Sequence, residues 1–242
     1  VDHVRFDGAG FVHPEDIRRK FRPNTRLVVV NHASNVIGTI QPIGEIGRLC
    51  REAGILFAVD TSQSAGKIPV NIQEQFLDVV AFTGHKSMFG PTGIGGLYVR
   101  EGVEIRHTRA GGTGVRSAEK AHLDDYPFRL EYGTPNTVGI AGLNAGLKWL
   151  LDKGPGAIHE QEMELAQILR DGLAAIPGVI LYCLEDLTDH IAVIRSLVTG
   201  DNSHSTSGYQ MLTGVPHIPL SRENAGPGKP NDWPSFNALV RA

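Results

Sequence analysis

A lysine that follows an apolar run and precedes a glycine–proline turn is held at a sheet edge, where an amine can do chemistry. Lys86 stands in that place. Asp78-Val79-Val80-Ala81-Phe82 runs into Thr83-Gly84-His85-Lys86, and Met88-Phe89-Gly90-Pro91-Thr92-Gly93 follows. To form an imine with a carbonyl the amine must lose its proton, and burial beside polar groups lowers its pKa. Most lysines are simply exposed, so position alone does not decide. Asp60 supplies the second half. It ends the apolar run 55–59, where an unpaired carboxylate would be costly. A pyridinium nitrogen is a fitting cationic partner, because a carboxylate beside it keeps the ring protonated and able to accept electrons from a carbanion. A helix cap or a structural ion pair is the ordinary alternative for Asp60. Gln63, three residues on, could donate to a phenolic oxygen of such a ring. Thr83 and His85 flank the lysine and could bind a phosphate, and His85 could also move protons. Singly, each is more often structural. Together, Asp60-x-x-Gln63 and Thr83-Gly84-His85-Lys86 on successive strand ends point to one site.

Competing motifs fail on spacing. Gly84-His85-Lys86-Ser87 resembles the end of a phosphate loop, but Val80 stands where the upstream glycine is required. Gly93-Ile94-Gly95-Gly96-Leu97-Tyr98 lacks the last glycine of the dinucleotide fingerprint. The ten histidines are scattered without metal-ligand spacing, so no metal is expected. Gly-x-Ser-x-Gly is absent, which leaves a hydrolase elbow without support.

The elements that must position these residues alternate. Residues 26–30, 55–59, 78–82 and 96–99 read as short buried strands, and 42–53 as a helix started by Pro42 and stopped by Gly54. Strands alternating with a helix predict an α/β layer with a mostly parallel sheet, in which ligands collect at the carboxyl ends of strands. The polar clusters Asn31 to Asn35, Asp60 to Gln63 and Thr83 to Lys86 sit at those ends. Residues 101–134 read as a long loop region. Residues 137–153 predict a helix with Ile140, Leu143, Leu147, Leu150 and Leu151 on its inner side. A second helix over 156–175 would turn Ile158, Leu165, Ile168 and Leu169 inward. Strands follow at 179–182 and 190–194, the start of a smaller α+β domain.

The 242 residues carry 41% hydrophobic and 20% charged side chains and a formal charge of -3. That balance fits a globular chain and offers no basic run for nucleic acid. No apolar run approaches the ~20 residues of a membrane span. The two cysteines, Cys50 and Cys183, make no disulfide framework and fit a reducing compartment such as the cytoplasm.

Five stretches resemble the class V aminotransferase family of fold-type I pyridoxal-phosphate (PLP) enzymes, in particular its cysteine desulfurase branch. They are Asn31-His32-Ala33-Ser34-Asn35-Val36-Ile37-Gly38-Thr39, Val59-Asp60-Thr61-Ser62-Gln63-Ser64-Ala65-Gly66, the lysine motif from Ala81 through Val99, Gly111-Gly112-Thr113-Gly114, and Glu131-Tyr132-Gly133-Thr134-Pro135-Asn136. The resemblance covers about residues 1–195. It implies a fold-type I large-domain sheet over 1–135, a partial small C-terminal α+β domain over 136–195, and PLP as cofactor. Lys86 would be the Schiff-base lysine and proton shuttle, and Asp60 would pair with the pyridine nitrogen. Gln63 would contact the phenolic oxygen, and Thr83 and His85 the phosphate. Asn35 would lie near the ring and the substrate. Thr113 would reach the phosphate of a neighbouring subunit, which implies a homodimer. His32 does not occupy the place of the family's ring-stacking histidine, which lies further upstream.

The implied activity is C–S cleavage of L-cysteine to alanine and a persulfide, with an amino-acid substrate and a sulfur-acceptor protein as partner. A class V aminotransferase and a C–S or selenocysteine lyase share the same visible residues. A different class of reading is an inactive remnant or an association module. The chain reads as a fragment. The family's N-terminal phosphate loop, its Arg-x-Gly-x-x-Cys-Ala-Pro loop and its carboxylate-binding arginine have no match. Cys50 is expected in the core, and no cationic cluster adjoins Cys183 in sequence. Of the 47 residues from Ser196 onward, 20 are Gly, Pro, Ser or Asn, so an irregular tail of weak order is expected. A reading frame lost near Arg195 would account for it.

Overall fold

The structure is a computed structural model that describes residues 1–112, 114–116, 118–198, 209–211 and 238–241. Among the described residues, strands and α-helices follow one another as β1(Asp2–His3), α1(Pro14–Arg18), β2(Thr25–Asn31), α2(Ile43–Glu52), β3(Leu56–Asp60), β4(Val79–Thr83), β5(Gly95–Val99), α3(Thr137–Lys153), α4(Pro155–Ala174), β6(Val179–Leu181), β7(Val193–Val198), β8(Tyr209–Met211) and β9(Ala238–Arg241). A six-stranded sheet runs β1-β9-β2-β3-β4-β5 and a three-stranded sheet runs β6-β7-β8.

The parallel arrangement expected of the whole sheet is confined to β2, β3 and β4. β5 returns antiparallel to β4 because residues 84–94 join them without a crossover helix. β9 pairs antiparallel with both β1 and β2. Alternation sorts the side chains of the central strands. Val28 and Val30, Phe57 and Val59, and Val80 are buried on one face, against Ile17 of α1 and Ile43, Ile46 and Cys50 of α2. Asp60 has the opposite parity to Phe57 and Val59 and is exposed. The expectation that Asp60 sits where desolvation is costly is therefore corrected. The period of two puts its carboxylate on the face away from the α1–α2 core.

Asp78 ties the layer from within. It is 2% exposed. Its Oδ2 accepts from Phe57 N at 2.8 Å, and its Oδ1 faces the Arg51 and Arg100 guanidinium groups. Below the strand ends, His32 is buried and its Nδ1 shares a hydrogen bond with Ser64 Oγ at 2.8 Å.

α3 begins where the sequence predicts, for a local reason. The Asn136 side chain accepts from Gly139 N at 2.9 Å, an N-cap, and its Nδ2 donates to Gly93 O at 3.2 Å. The cap thus fastens α3 to the turn that follows Lys86. Gly146 then lets the helix lie against that turn: a Cβ there would meet Phe89 O at 2.6 Å and Met88 O at 2.7 Å. Gly154 closes α3 at φ 84°, and Pro155 opens α4.

The inner faces predicted for the two helices need correction. Leu150 is buried, but Leu151 is 72% exposed and Ile140 is exposed too. On α4, Ala166 is buried and Leu169 packs beside it, whereas Ile168 is 70% exposed and Leu165 is exposed. Leu143, Leu147 and Leu150 on α3 and Ile158 and Leu169 on α4 keep the inner sides, while glycines such as Gly142 and Gly146 share the close contacts and the other four predicted residues face outward. The predicted strand 190–194 also shifts. Residues 190–192 are buried outside any strand, and β7 starts at Val193. Most of the tail expected over 196–242 lies outside the described residues. Among the described ones, β8 and β9 are strands where none was predicted.

Two measurements check this account. Alanine is the better helix former by ~1 kcal/mol, yet Gly146→Ala is expected to lower stability by about 1–3 kcal/mol because its methyl meets backbone. Gly172→Ala, with nothing near the added methyl, is expected to hold or raise stability in the same denaturant titration. Burial pushes the His32 pKa down to about 4, against ~6.5 when unfolded. The unfolded chain therefore binds the extra proton between those values, so stability is complete above about pH 6.5 and is lost as pH falls toward about 4. Urea unfolding should show that loss, up to about 3 kcal/mol, and His32→Asn should flatten it. An unchanged pH slope in the variant would contradict the assignment.

Candidate active site

Three strand ends build the site. β2 and β3 pair in register with Asn31 opposite Asp60, and β3 and β4 pair with Asp60 opposite Ala81, two residues before Thr83. The strand ends are also stitched beyond the ladder. His32 N donates to Asp60 O at 2.9 Å, and Thr61 N donates to Ala81 O at 2.8 Å. Asp60 Oδ1 accepts from Ser62 N at 2.8 Å, which orients the carboxylate. Thr83 Oγ1 donates to Ser62 O at 3.5 Å, a long bond that leaves the hydroxyl open to a better acceptor.

Lys86 stands in a tight turn. Gly84 N donates to Ile94 O at 2.8 Å, Gly90 N to Gly84 O at 2.8 Å, and Phe89 N to Lys86 O at 3.0 Å. Phe89 takes φ 55°, and its ring meets Trp149 of α3 edge-on, centroids 4.9 Å apart. From the other side Gly66 packs on the same turn. A Cβ there would lie 2.5 Å from Ser87 O, and φ 88° favours glycine as well. The turn that follows Lys86, residues 87–89, is thus packed against both Gly66 and Gly146. The sequence reading missed both. The signal for the second was present in Gly142 and Gly146, small residues one helical turn apart on α3.

Lys86 is half-buried, and burial lowers its pKa while the nearby Asp60 charge opposes that shift. The carboxylate thus acts on the amine from the adjacent strand end. Gln63 is half-buried in the turn after Asp60, and His85 is exposed beside Lys86. Asn35 is exposed at the tip of a loop after β2, whose base is closed by Ser34 N donating to Thr39 O at 3.0 Å. Thr113 lies outside the described residues.

This donor set fits PLP. It offers an amine eased toward neutrality, an exposed carboxylate with Oδ1 already fixed, and a hydroxyl beside an imidazole at one strand end. Neither cysteine joins it. Burial, with Asp78 adding to it, pushes the Cys50 thiol up to about 12. Burial also raises Cys183, with Arg170 opposing. The cation absent from its sequence neighbours is thus supplied by α4.

The comparisons agree with the geometry. The aminotransferase class-V family model matches residues 1–209. A probable cysteine desulfurase of Methanothermobacter thermautotrophicus is 36% identical over 183 residues, covering 74% of this chain and 46% of that protein. A cysteine desulfurase of Escherichia coli O127:H6 is 37% identical over 178 residues, covering 72% and 44%. The apo structure of the cysteine desulfurase from Thermococcus onnurineus NA1 superposes with a TM-score of 0.67 at 31% identity, covering 82% of this chain and 50% of that one. The chain therefore spans about half the length of the relatives it matches. The family works with PLP. With its strand-end lysine and carboxylate set on an α/β sheet of fold type I, and with most of its length matched, this chain belongs to the aminotransferase class-V family.

Proposed function

We propose that this chain is the lysine-bearing portion of a PLP-dependent cysteine desulfurase-like enzyme, with L-cysteine as its amino-acid substrate. The observation that carries the reading is the placement of Asp60 and of Thr83-Gly84-His85-Lys86 at the adjacent ends of the paired strands β3 and β4.

PLP, when bound, supplies the electron sink for the pair left at the substrate's α-carbon. Lys86 would hold the cofactor through its Nζ, and the same amine would be placed to take and return a proton at the substrate's α-carbon. Asp60 carries the charge that keeps a pyridine nitrogen protonated. Gln63 orients the phenolic oxygen, Thr83 and His85 hold the phosphate, and Asn35 closes the substrate side. In this reading residues 1–135 belong to the large domain and 136–195 open the small one. Thr113 serves a partner subunit's phosphate in a homodimer. A sulfur-acceptor protein and a cytoplasmic setting complete the proposal.

A second reading rests on the same lysine and carboxylate. Desulfuration needs a thiolate to take the sulfur, and neither described cysteine is exposed and acidic. An aminotransferase or a C–S or C–Se lyase needs no such thiol.

The test is spectroscopic. The purified chain incubated with PLP should gain visible absorbance, and borohydride should then fix the cofactor on the Lys86 peptide. Lys86→Ala should abolish both. Asp60→Ala should keep the lysine adduct but weaken cofactor binding about tenfold or more. A colourless wild type would sink the reading. Sulfide released from cysteine would favour the desulfurase over the second reading, and its absence the reverse.

A further inference from the structure

We propose that His190 is a positioning residue for the loop that carries Asn35, joining that loop to the segment that precedes β7. The inference rests on the reading above that Asn35 faces the cofactor and substrate.

His190 is fully buried. Its Nε2 lies 2.6 Å from Ile37 O and its Nδ1 2.5 Å from Ile191 O. Both neighbours can only accept, so a neutral ring donates to one of them, and with the proton on Nε2 it donates to Ile37 O. Around the ring the two segments are laced together by main chain. Ile40 N donates to Asp189 O at 3.0 Å, Ile191 N donates to Gly38 O at 2.9 Å, and Thr39 and His190 form an isolated bridge.

Gly38 makes the contact specific. It has φ 78°, and a Cβ there would lie 2.1 Å from the imidazole Cε1. The ring therefore fills the space that any side chain at 38 would need. Above it the loop is small and closed. Gly38 N donates to Ser34 O at 3.2 Å, and Ser34 Oγ accepts from Val36 N and Ile37 N. Asn35 sits inside that closed turn. A displacement of Ile37 or Gly38 is thus transmitted to it through three hydrogen bonds. Besides these main-chain bonds, Thr39 Oγ1 donates to Ala9 O at 3.0 Å. His190 supplies the support from the β7 side, 153 residues away in sequence from Ile37. The polar partners of its ring are backbone carbonyls, so the effect proposed for it on chemistry runs through Asn35.

Hydrogen exchange on the cofactor-free chain tests the positioning directly. In His190→Ala the amides of Ile37, Gly38 and Ile40 should exchange about tenfold faster or more, while those of β3 and β4 keep their protection. His190→Gln, which keeps a donor, should restore part of it. If Ala unfolds the chain, shown by loss of protection in β3 and β4, the Gln variant is read in its place. Unchanged exchange over 37–40 in the folded variant overturns the proposal. The site consequence is read with PLP bound, by titrating L-alanine against the visible band. His190→Ala and Asn35→Ala should each weaken amino-acid binding about fivefold, and the double variant no more than either single one. Additive losses would mean that His190 does not act through Asn35. A wild type that gains no colour would end the functional reading but leave the exchange result decisive for the loop.

Discussion

A primary amine set in a half-buried turn, one strand away from a carboxylate, is the constraint on which the rest of the site depends. Burial alone would neutralise Lys86, and a close acid alone would keep it charged. Here burial is the larger influence and Asp60 opposes it. Asp60 is itself exposed at the end of its strand. The two groups are not locked in an ion pair. That leaves both free to bond a third body, an aromatic cofactor with an aldehyde at one point of its ring and a protonatable nitrogen at another.

The scaffold serves that arrangement through close backbone approaches more than through bulk. Gly66 and Gly146 let a strand-end turn and a helix close on the lysine turn from two sides, and Asn136 pins the start of α3 to it. His190 and Gly38 do the same for the loop of Asn35. At Gly66 and Gly146 the neighbour is backbone, which does not change rotamer, and at Gly38 it is the buried His190 ring. The positions that hold reactive groups are thus fixed by glycines that themselves do nothing chemical.

The central strands, α2, α3 and α4 were legible because their periodicity is strong and their ends carry Pro, Asn or Gly. The lysine motif and Asp60 were legible as types at spacings. What stayed hidden followed from packing that no pattern encodes. Leu151 and Ile168 read as inner-face residues, yet face outward because the helices approach through small residues. Asp60 read as buried because its strand is apolar, but parity put it on the other face. β9, paired with β1 and β2, brings together the two ends of the chain, a contact of the longest sequence separation. His190 read as part of a strand, and its role emerges only from the ring's two backbone partners.

The most direct measurement is a nitrogen-15 NMR titration of lysine side chains, with Lys86 assigned by its loss in Lys86→Ala. Lys86 should titrate below the other lysines. In Asp60→Asn, where the opposing charge is gone, it should titrate lower still. A Lys86 that titrates with the surface lysines, or one indifferent to Asp60→Asn, would show that the amine and the carboxylate do not share a site.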